Sequence, residues 1–371
     1  MVFEDGLAVR TTSWELGDLG FDALLPLLRA RSVDDVDRAL DLWVEPVNNA
    51  VIADRAGTVR YRIAGRVPVR SATGAWTGWL DDPRRADAGP DGQVVTANEW
   101  RGPESDAVGT VFAAPYRADR LHALLDGRTG LTGADFRAMH DDAWLATVPV
   151  VAALVPGAFD DFDGVMDAGS PQAARYAAFR TALVARIAGE PVFAPLHDPP
   201  ERHRHEAVFA PWLDATYRIG IALPRLANEA LAGGKPFGID VVAHAEAALA
   251  EVDDRPVHAT WGETHVLDPV HGLGLLTGYD GDDLPRVGLS GDSDCVRCCA
   301  SYPAITDECS RGSVARYVWD LADRTAGGWV VPTGASGLPD DPHHHDQLPL
   351  WAAAELVAIV TDWDLLVRSS G

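Results

Sequence analysis

At 371 residues the chain is long enough to bury a substantial core, in one large domain or in two to three smaller ones. Its 47% hydrophobic, 8% aromatic and 23% charged residues form a globular profile and exclude a disordered or fibrous chain. With 55 acidic against 31 basic side chains and a net charge of −24, the averaged surface repels phosphate backbones and anionic membranes, so nucleic acid is not an expected partner.

The opening residues, MVFEDGLAVRTTSWELGD, show no basic leader followed by an apolar run and do not read as a signal peptide. As written, the chain is expected in the cytoplasm. No stretch approaches the roughly 18 uninterrupted apolar residues of a membrane span, so no membrane partner is expected. Residues 21–43 place apolar side chains at helical spacing and predict two short helices, the second capped by Ser32 with Asp35 as its capping-box partner. Residues 47–70 then switch to β-branched side chains around an Asp-Arg-Ala-Gly turn, which predicts a strand, a tight connection and a second strand.

Residues 71–114 are rich in Gly, Pro and Asp and predict mostly loop, with one strand at 94–98 in VVTAN. From Asp119 to about Ala250 the pattern is helical. Thr132 is placed to cap FRAMHDDAWLATVPVVAALV with Asp135 as the capping-box acid, and AARYAAFRTALVARIAG and VVAHAEAALAEV follow. Gly and Pro return after residue 255, and the closing LWAAAELVAIVTDW predicts helix followed by strand.

Several constellations offer chemistry on their own terms. Cys295, Cys298, Cys299 and Cys309 include a C-x-x-C spacing that reaches a tetrahedral zinc, but no second pair follows at zinc-finger distance, so no metal is assigned and reduced or partly disulfide-linked thiols are expected. His203 with His205, and the triplet His343, His344 and His345, read as loop histidines without an acidic partner at helical spacing. Ser336 in GASGL lacks the second glycine of a nucleophile elbow, where Leu338 stands instead. No glycine-rich phosphate loop occurs.

The segment from Trp43 to Arg70 resembles the penicillin acylase family. Its anchors stand in register: Pro46, two residues, Asn49, three residues, Ala53-Asp54, a glycine turn, then Gly65-x-x-Pro68-x-Arg70. VVTANEW, APYRADRLHALL, LTGADFRAMHDDAW, WGETHVLDPVH, LSGDSDCV, RGSVARYVWDL and PTGASGLPDDPHHHDQLPLW resemble further family signatures in the same order, over nearly the whole chain.

The resemblance implies an α+β protein, a partial αββα sandwich of the N-terminal-nucleophile hydrolase type with an α-helical middle section. It divides the chain into an incomplete sheet region at 1–118, a helical section at 119–255, and a C-terminal sheet and helix region of the same catalytic domain at 256–371. It implies amide hydrolysis through an acyl-serine intermediate, the nucleophile's own α-amine acting as base. In that chemistry Asn49 is the side-chain amide donor to the oxyanion and Arg70 organises the site. Adjacent Asn48 leaves the register of the donor open by one residue.

The family's nucleophile begins a Ser-Asn-x-Trp segment, and none of the 48 residues before Asn49 forms one. Ser13, in Thr11-Thr12-Ser13-Trp14, lacks its neighbours and is not expected to be a substitute. The expected partners are a small linear amide, from a β-lactam, an acyl-homoserine lactone or a lipopeptide, and the N-terminal half or α chain of the same acylase. No cofactor is expected: the family's calcium ligands lie largely outside this chain. Family members are usually periplasmic or secreted. The competing expectation is a non-catalytic relic or a binding module of the same fold.

Overall fold

A computed structural model describes residues 9–81, 85–88, 92–198, 212–269 and 284–366. The chain falls into two compact units, Met1–Ala123 and Leu124–Gly371. Among the described residues no helix is long and apolar enough to cross a membrane. His203 and His205 lie outside the described residues.

The first unit opens with helices α1 (Thr12–Leu16), α2 (Leu24–Arg29) and α3 (Val33–Leu40), so residues 21–43 form the two short helices expected there. Ser32 Oγ accepts the N–H of Asp35 at 3.2 Å, and the Asp35 carboxylate accepts the N–H of Arg31 at 3.1 Å. The first satisfies an N–H that the opening helical turn leaves unpaired, and the second ties down the residue before the cap. Strands β1 (Asn48–Ala53) and β2 (Val59–Ala64) make the predicted antiparallel hairpin, with Asn49 opposite Ile63. The turn is set by Asp54, whose Oδ1 accepts from the N–H groups of Ala56 (2.9 Å) and Thr58 (3.3 Å), and by Gly57, whose φ of +90° suits a residue without Cβ.

Strands β3 (Pro68–Arg70) and β4 (Trp76–Trp79) form a separate pair, while β5 (Arg85–Asp87) adds to β2, giving the sheet order β1-β2-β5. Helix α3 is joined to this sheet by charge. Arg62 of β2 is buried and meets Asp37 at 2.7 Å and Asp41 at 3.1 Å, while Arg60 meets Asp34 at 2.8 Å and Asp87 at 2.6 Å. By contrast Trp14, Leu19, Phe21, Leu24, Leu25 and Leu28 are all exposed, Leu28 at 83%.

The expected strand at 94–98 is not formed. Val95 and Ala97 are buried and Val94 packs against the Tyr61, Ile63 and Val67 cluster, but Asn98 turns the chain with a left-handed φ of +66°. A strand cannot continue through that geometry. Helix α4 follows at Tyr116–Leu125.

In the second unit, α5 (Gly133–His140) carries the predicted capping box of Thr132 and Asp135. The long helix expected beyond it is broken, and α6 begins only at Val148–Ala152. The reason is tertiary: Leu145 N–H donates to Gly164 O (2.9 Å) and Met166 N–H to Ala143 O (3.0 Å), so this backbone pairs across a bend and not along a helix.

Helices α7 (Pro171–Ala188), α8 (Ala194–His197), α9 (Ala215–Leu231) and α10 (Val241–Asp253) follow. Ser170 caps α7, and Pro171 occupies the first helical position, where its missing N–H costs nothing. Tyr176, Phe179, Leu183 and Ile187 of α7 share the main core with Leu223 and Leu226 of α9 and Val241 and Val252 of α10. Each such Leu buried contributes about 1.5–3 kcal/mol.

Strands β6 (Arg316–Val318), β7 (Gly328–Val330) and β8 (Val357–Ala358) close the chain as an antiparallel sheet in the order β6-β7-β8. Helix α11 (Leu348–Ala352) precedes β8, as the closing helix-then-strand pattern predicts.

Candidate active site

The residues lining one cleft of the first unit, about 260 Å³, include Asn49 from β1, Tyr61 and Ile63 from β2, and Asn98, Arg101 and Phe112 from the segment after β5. The hairpin register explains the first group: Asn49 stands opposite Ile63, and Tyr61 follows two residues away on the same face. Tyr61 is buried, and its O–H donates to Asn49 Oδ1 at 2.7 Å. Asn49 Nδ2 donates to Asn98 Oδ1 at 3.4 Å. The Asn49 amide carries one further N–H, with no acceptor assigned among the described residues.

The other side of Tyr61 is equally defined. The Arg101 guanidinium lies over its ring, 4.7 Å from the centroid, a cation–π contact. Arg101 is held in turn by Glu99 Oε1 at 2.9 Å and by the carbonyl of Val95. Burial alone would raise the Glu99 carboxyl, but the N–H of Ala97 (2.6 Å), its own N–H and Arg101 hold it below the ordinary carboxylate range.

The two neighbouring asparagines are used differently. Asn48 also lines the cleft, but it is exposed and its Nδ2 donates to the carbonyl of Pro46 at 2.9 Å, within its own turn. Arg70 stands elsewhere. It ends β3 as an exposed residue, with its guanidinium 5.9 Å from the Trp76 ring centroid and Nη1 3.4 Å from Pro68 O, and it does not line the cleft. Ser13 lies within α1, its N–H donating to Glu45 Oε2 at 3.3 Å and its hydroxyl 3.4 Å from that of Thr11.

Asn98, Tyr61 and Arg101 were not singled out as site residues from the sequence. The Thr-Ala-Asn motif marked the segment, but the register of β1 and β2 brings only Tyr61 to Asn49, and Asn98 reaches it from its left-handed turn.

The signature segments of the second unit meet one another in its interior. Trp261 is fully buried, stacks on His265 with centroids 4.4 Å apart, and donates through Nε1 to Gly291 O at 3.2 Å. Gly291 has φ +99°, and a Cβ there would strike Arg297 O at 2.1 Å, so only glycine fits. Arg316 is buried over the Trp351 ring at 4.7 Å, while Trp351 Nε1 donates to Ser313 O at 2.9 Å. These motifs build core.

All four cysteines are free thiols, and all but Cys298 are buried. Burial drives the Cys295 thiol well above its ordinary value, away from thiolate. His343 pairs with Asp346, three residues on, at 2.7 Å, which raises it, so the expectation that this histidine has no acidic partner is corrected. Among the described residues no group of three or more His, Cys, Asp or Glu side chains is arranged to hold a metal ion.

The penicillin amidase family model matches residues 1–367. The chain belongs to that family. It is 29% identical over 402 residues to penicillin acylase 2 proenzyme of Pseudomonas sp. (strain SE83), an alignment covering 98% of this chain and 50% of that protein. The chain thus spans about half the length of this curated relative. Among solved structures it is similar to the thermostable penicillin G acylase of Alcaligenes faecalis, with a TM-score of 0.57 at 15% identity, over 97% of this chain and 74% of that one. That likeness shows the fold, an α+β protein of the N-terminal-nucleophile hydrolase type, as the resemblance implied.

Proposed function

We propose that the chain is the part of a penicillin-acylase-type amidohydrolase that supplies an oxyanion donor, Asn49, to a serine nucleophile carried on another polypeptide segment. That partner is the N-terminal half or α chain of the same acylase. The substrate is a linear amide: the acyl side chain of a β-lactam, an acyl-homoserine lactone or a lipopeptide.

In this reaction the serine hydroxyl attacks the amide carbonyl while the α-amine of the same serine takes its proton. The carbonyl oxygen becomes an anion. An N–H of Asn49 donates to it, stabilising charge that develops only in the transition state, and the side-chain amide does not itself titrate. Collapse expels the amine, which takes the proton held by the α-amine, and leaves an acyl ester, which water then hydrolyses. Arg70 is kept as the site organiser on its motif match alone.

The single observation that carries this reading is the Asn49 amide, fixed at both ends on a cleft wall by Tyr61 and Asn98. Asn48, bonded to its own turn, supports the assignment to Asn49. Two observations support the partner: the curated relative is about twice as long, and the first unit exposes a run of large apolar side chains over residues 14–28.

The test is hydrolysis of a chromogenic phenylacetyl or fatty-acyl anilide by the purified chain, alone and mixed with the product of any upstream segment. The expected result is activity only on mixing, with kcat lowered about 100- to 1,000-fold by Asn49→Ala. Silence in both conditions favours the non-catalytic module, and activity from the chain alone turns attention to Ser13.

A further inference from the structure

Resting on the assignment of Asn49 as oxyanion donor, we infer that Tyr61, with Asn98, is the positioning residue that selects which end of the Asn49 amide faces the substrate. A carboxamide has a donor end and an acceptor end of nearly the same shape, so packing alone does not distinguish them. An oxyanion donor with its oxygen forward would repel the charge it must stabilise. Some neighbour has to fix the choice, and here Tyr61 does, with Asn98 completing the pair.

Tyr61 O–H donates to Oδ1 at 2.7 Å, within the range of a well-formed O–H···O bond, and so holds the acceptor end. Asn98 Oδ1 accepts from Nδ2 at 3.4 Å on the other side. Both contacts favour the same orientation.

The donor role of Tyr61 is reinforced from behind. The Arg101 guanidinium over its ring draws electron density from the phenol oxygen and so strengthens its O–H as a donor, and Glu99 and the carbonyl of Val95 hold that guanidinium in place. Asn98 is placed by its left-handed backbone, a conformation that asparagine tolerates better than most residues with a Cβ. The segment 95–101, which supplies Val95, Asn98, Glu99 and Arg101, thus acts as one brace around Tyr61 and Asn49.

The inference is tested on the chain itself by the two side-chain amide proton resonances of Asn49, in a 15N-labelled sample, assigned by their loss in Asn49→Asp. Tyr61→Phe keeps the buried ring and removes only the hydroxyl. Asn98→Gly keeps the left-handed backbone and removes the carboxamide. Each variant is expected to move the Asn49 pair toward the shifts and fast exchange of an exposed asparagine, with unrelated amides unchanged.

If either correctly folded variant leaves the Asn49 pair where it was, the positioning role of that residue is wrong. Asn98→Gly also gives an independent reading should Tyr61→Phe fail to fold. In the assembled enzyme, Tyr61→Phe is expected to lower kcat about tenfold at unchanged KM, the loss of one oriented hydrogen bond. A moved resonance pair with no acylase activity in any pairing would keep the positioning role and reject the acylase reading, so the two fail separately.

Discussion

Arg180 of α7 and Asp292, from the Gly-Asp signature, meet at 2.5 Å in the interior of the second unit, both buried. Asp292 also accepts from Ser301 Oγ at 2.8 Å and from the N–H of Ser293 at 2.7 Å, and Ser301 Oγ is 3.1 Å from Arg180. Burial alone would raise the Asp292 carboxyl. Arg180 beside it, then His265 and these donors, outweigh that and hold it below the ordinary range. The pair therefore clamps a helix of the main core to a signature loop.

Removing one partner leaves a buried charge. Asp292→Asn is expected to cost about 3–5 kcal/mol in urea unfolding at neutral pH, and adding Arg180→Met should recover part of the loss because the orphaned cation goes with it. A single-variant cost below about 1 kcal/mol would show that water reaches Arg180.

His265 sets a pH dependence near neutrality. Burial is the largest influence and lowers its pKa, outweighing Asp292 and the carbonyl of Asp307, which its Nδ1 meets at 2.6 Å. The unfolded chain then binds a proton that the folded chain refuses. Stability is complete above the unfolded histidine value of about 6.5 and is lost as pH falls from there through the depressed folded value. His140, lowered chiefly by burial, adds in the same direction, while exposed His343, raised by Asp346, opposes it. The urea midpoint should fall below about pH 6.5, and His265→Asn, which keeps a donor to Asp307 O, should flatten that fall. An unchanged slope in His265→Asn would assign the acid sensitivity to other groups.

The exposed apolar run over residues 14–28 predicts self-association of the isolated chain. Leu28→Glu is expected to shift sedimentation toward the monomer while changing unfolding free energy by no more than about 0.5 kcal/mol, since Leu28 packs on little. A large loss of stability would mean that the side chain is buried in solution.

Much of the local structure was legible in the sequence because it depends on near neighbours. The Asp54–Gly57 turn, the capping box of Thr132 and Asp135, and the closing helix-then-strand need only residues a few positions apart. The break between α5 and α6 was not legible, since the competing partners of Ala143 and Leu145 come from 164–166. The lost strand at 94–98 has the same kind of cause, apolar residues that fit a strand pattern being drawn into a turn at Asn98.

The sequence by itself determined the family and the candidate donor, because ordered motifs such as Pro46-x-x-Asn49 and Gly65-x-x-Pro68-x-Arg70 survive as identities along the chain. Tertiary structure alone decided what surrounds that donor. Tyr61 and Asn98 are 12 and 49 residues from Asn49 and meet it only because strand pairing and a left-handed turn bring their polar atoms within hydrogen-bond reach. It also decided that Trp261, Asp292 and Arg316 serve the core, since burial is a property of packing and not of any one residue.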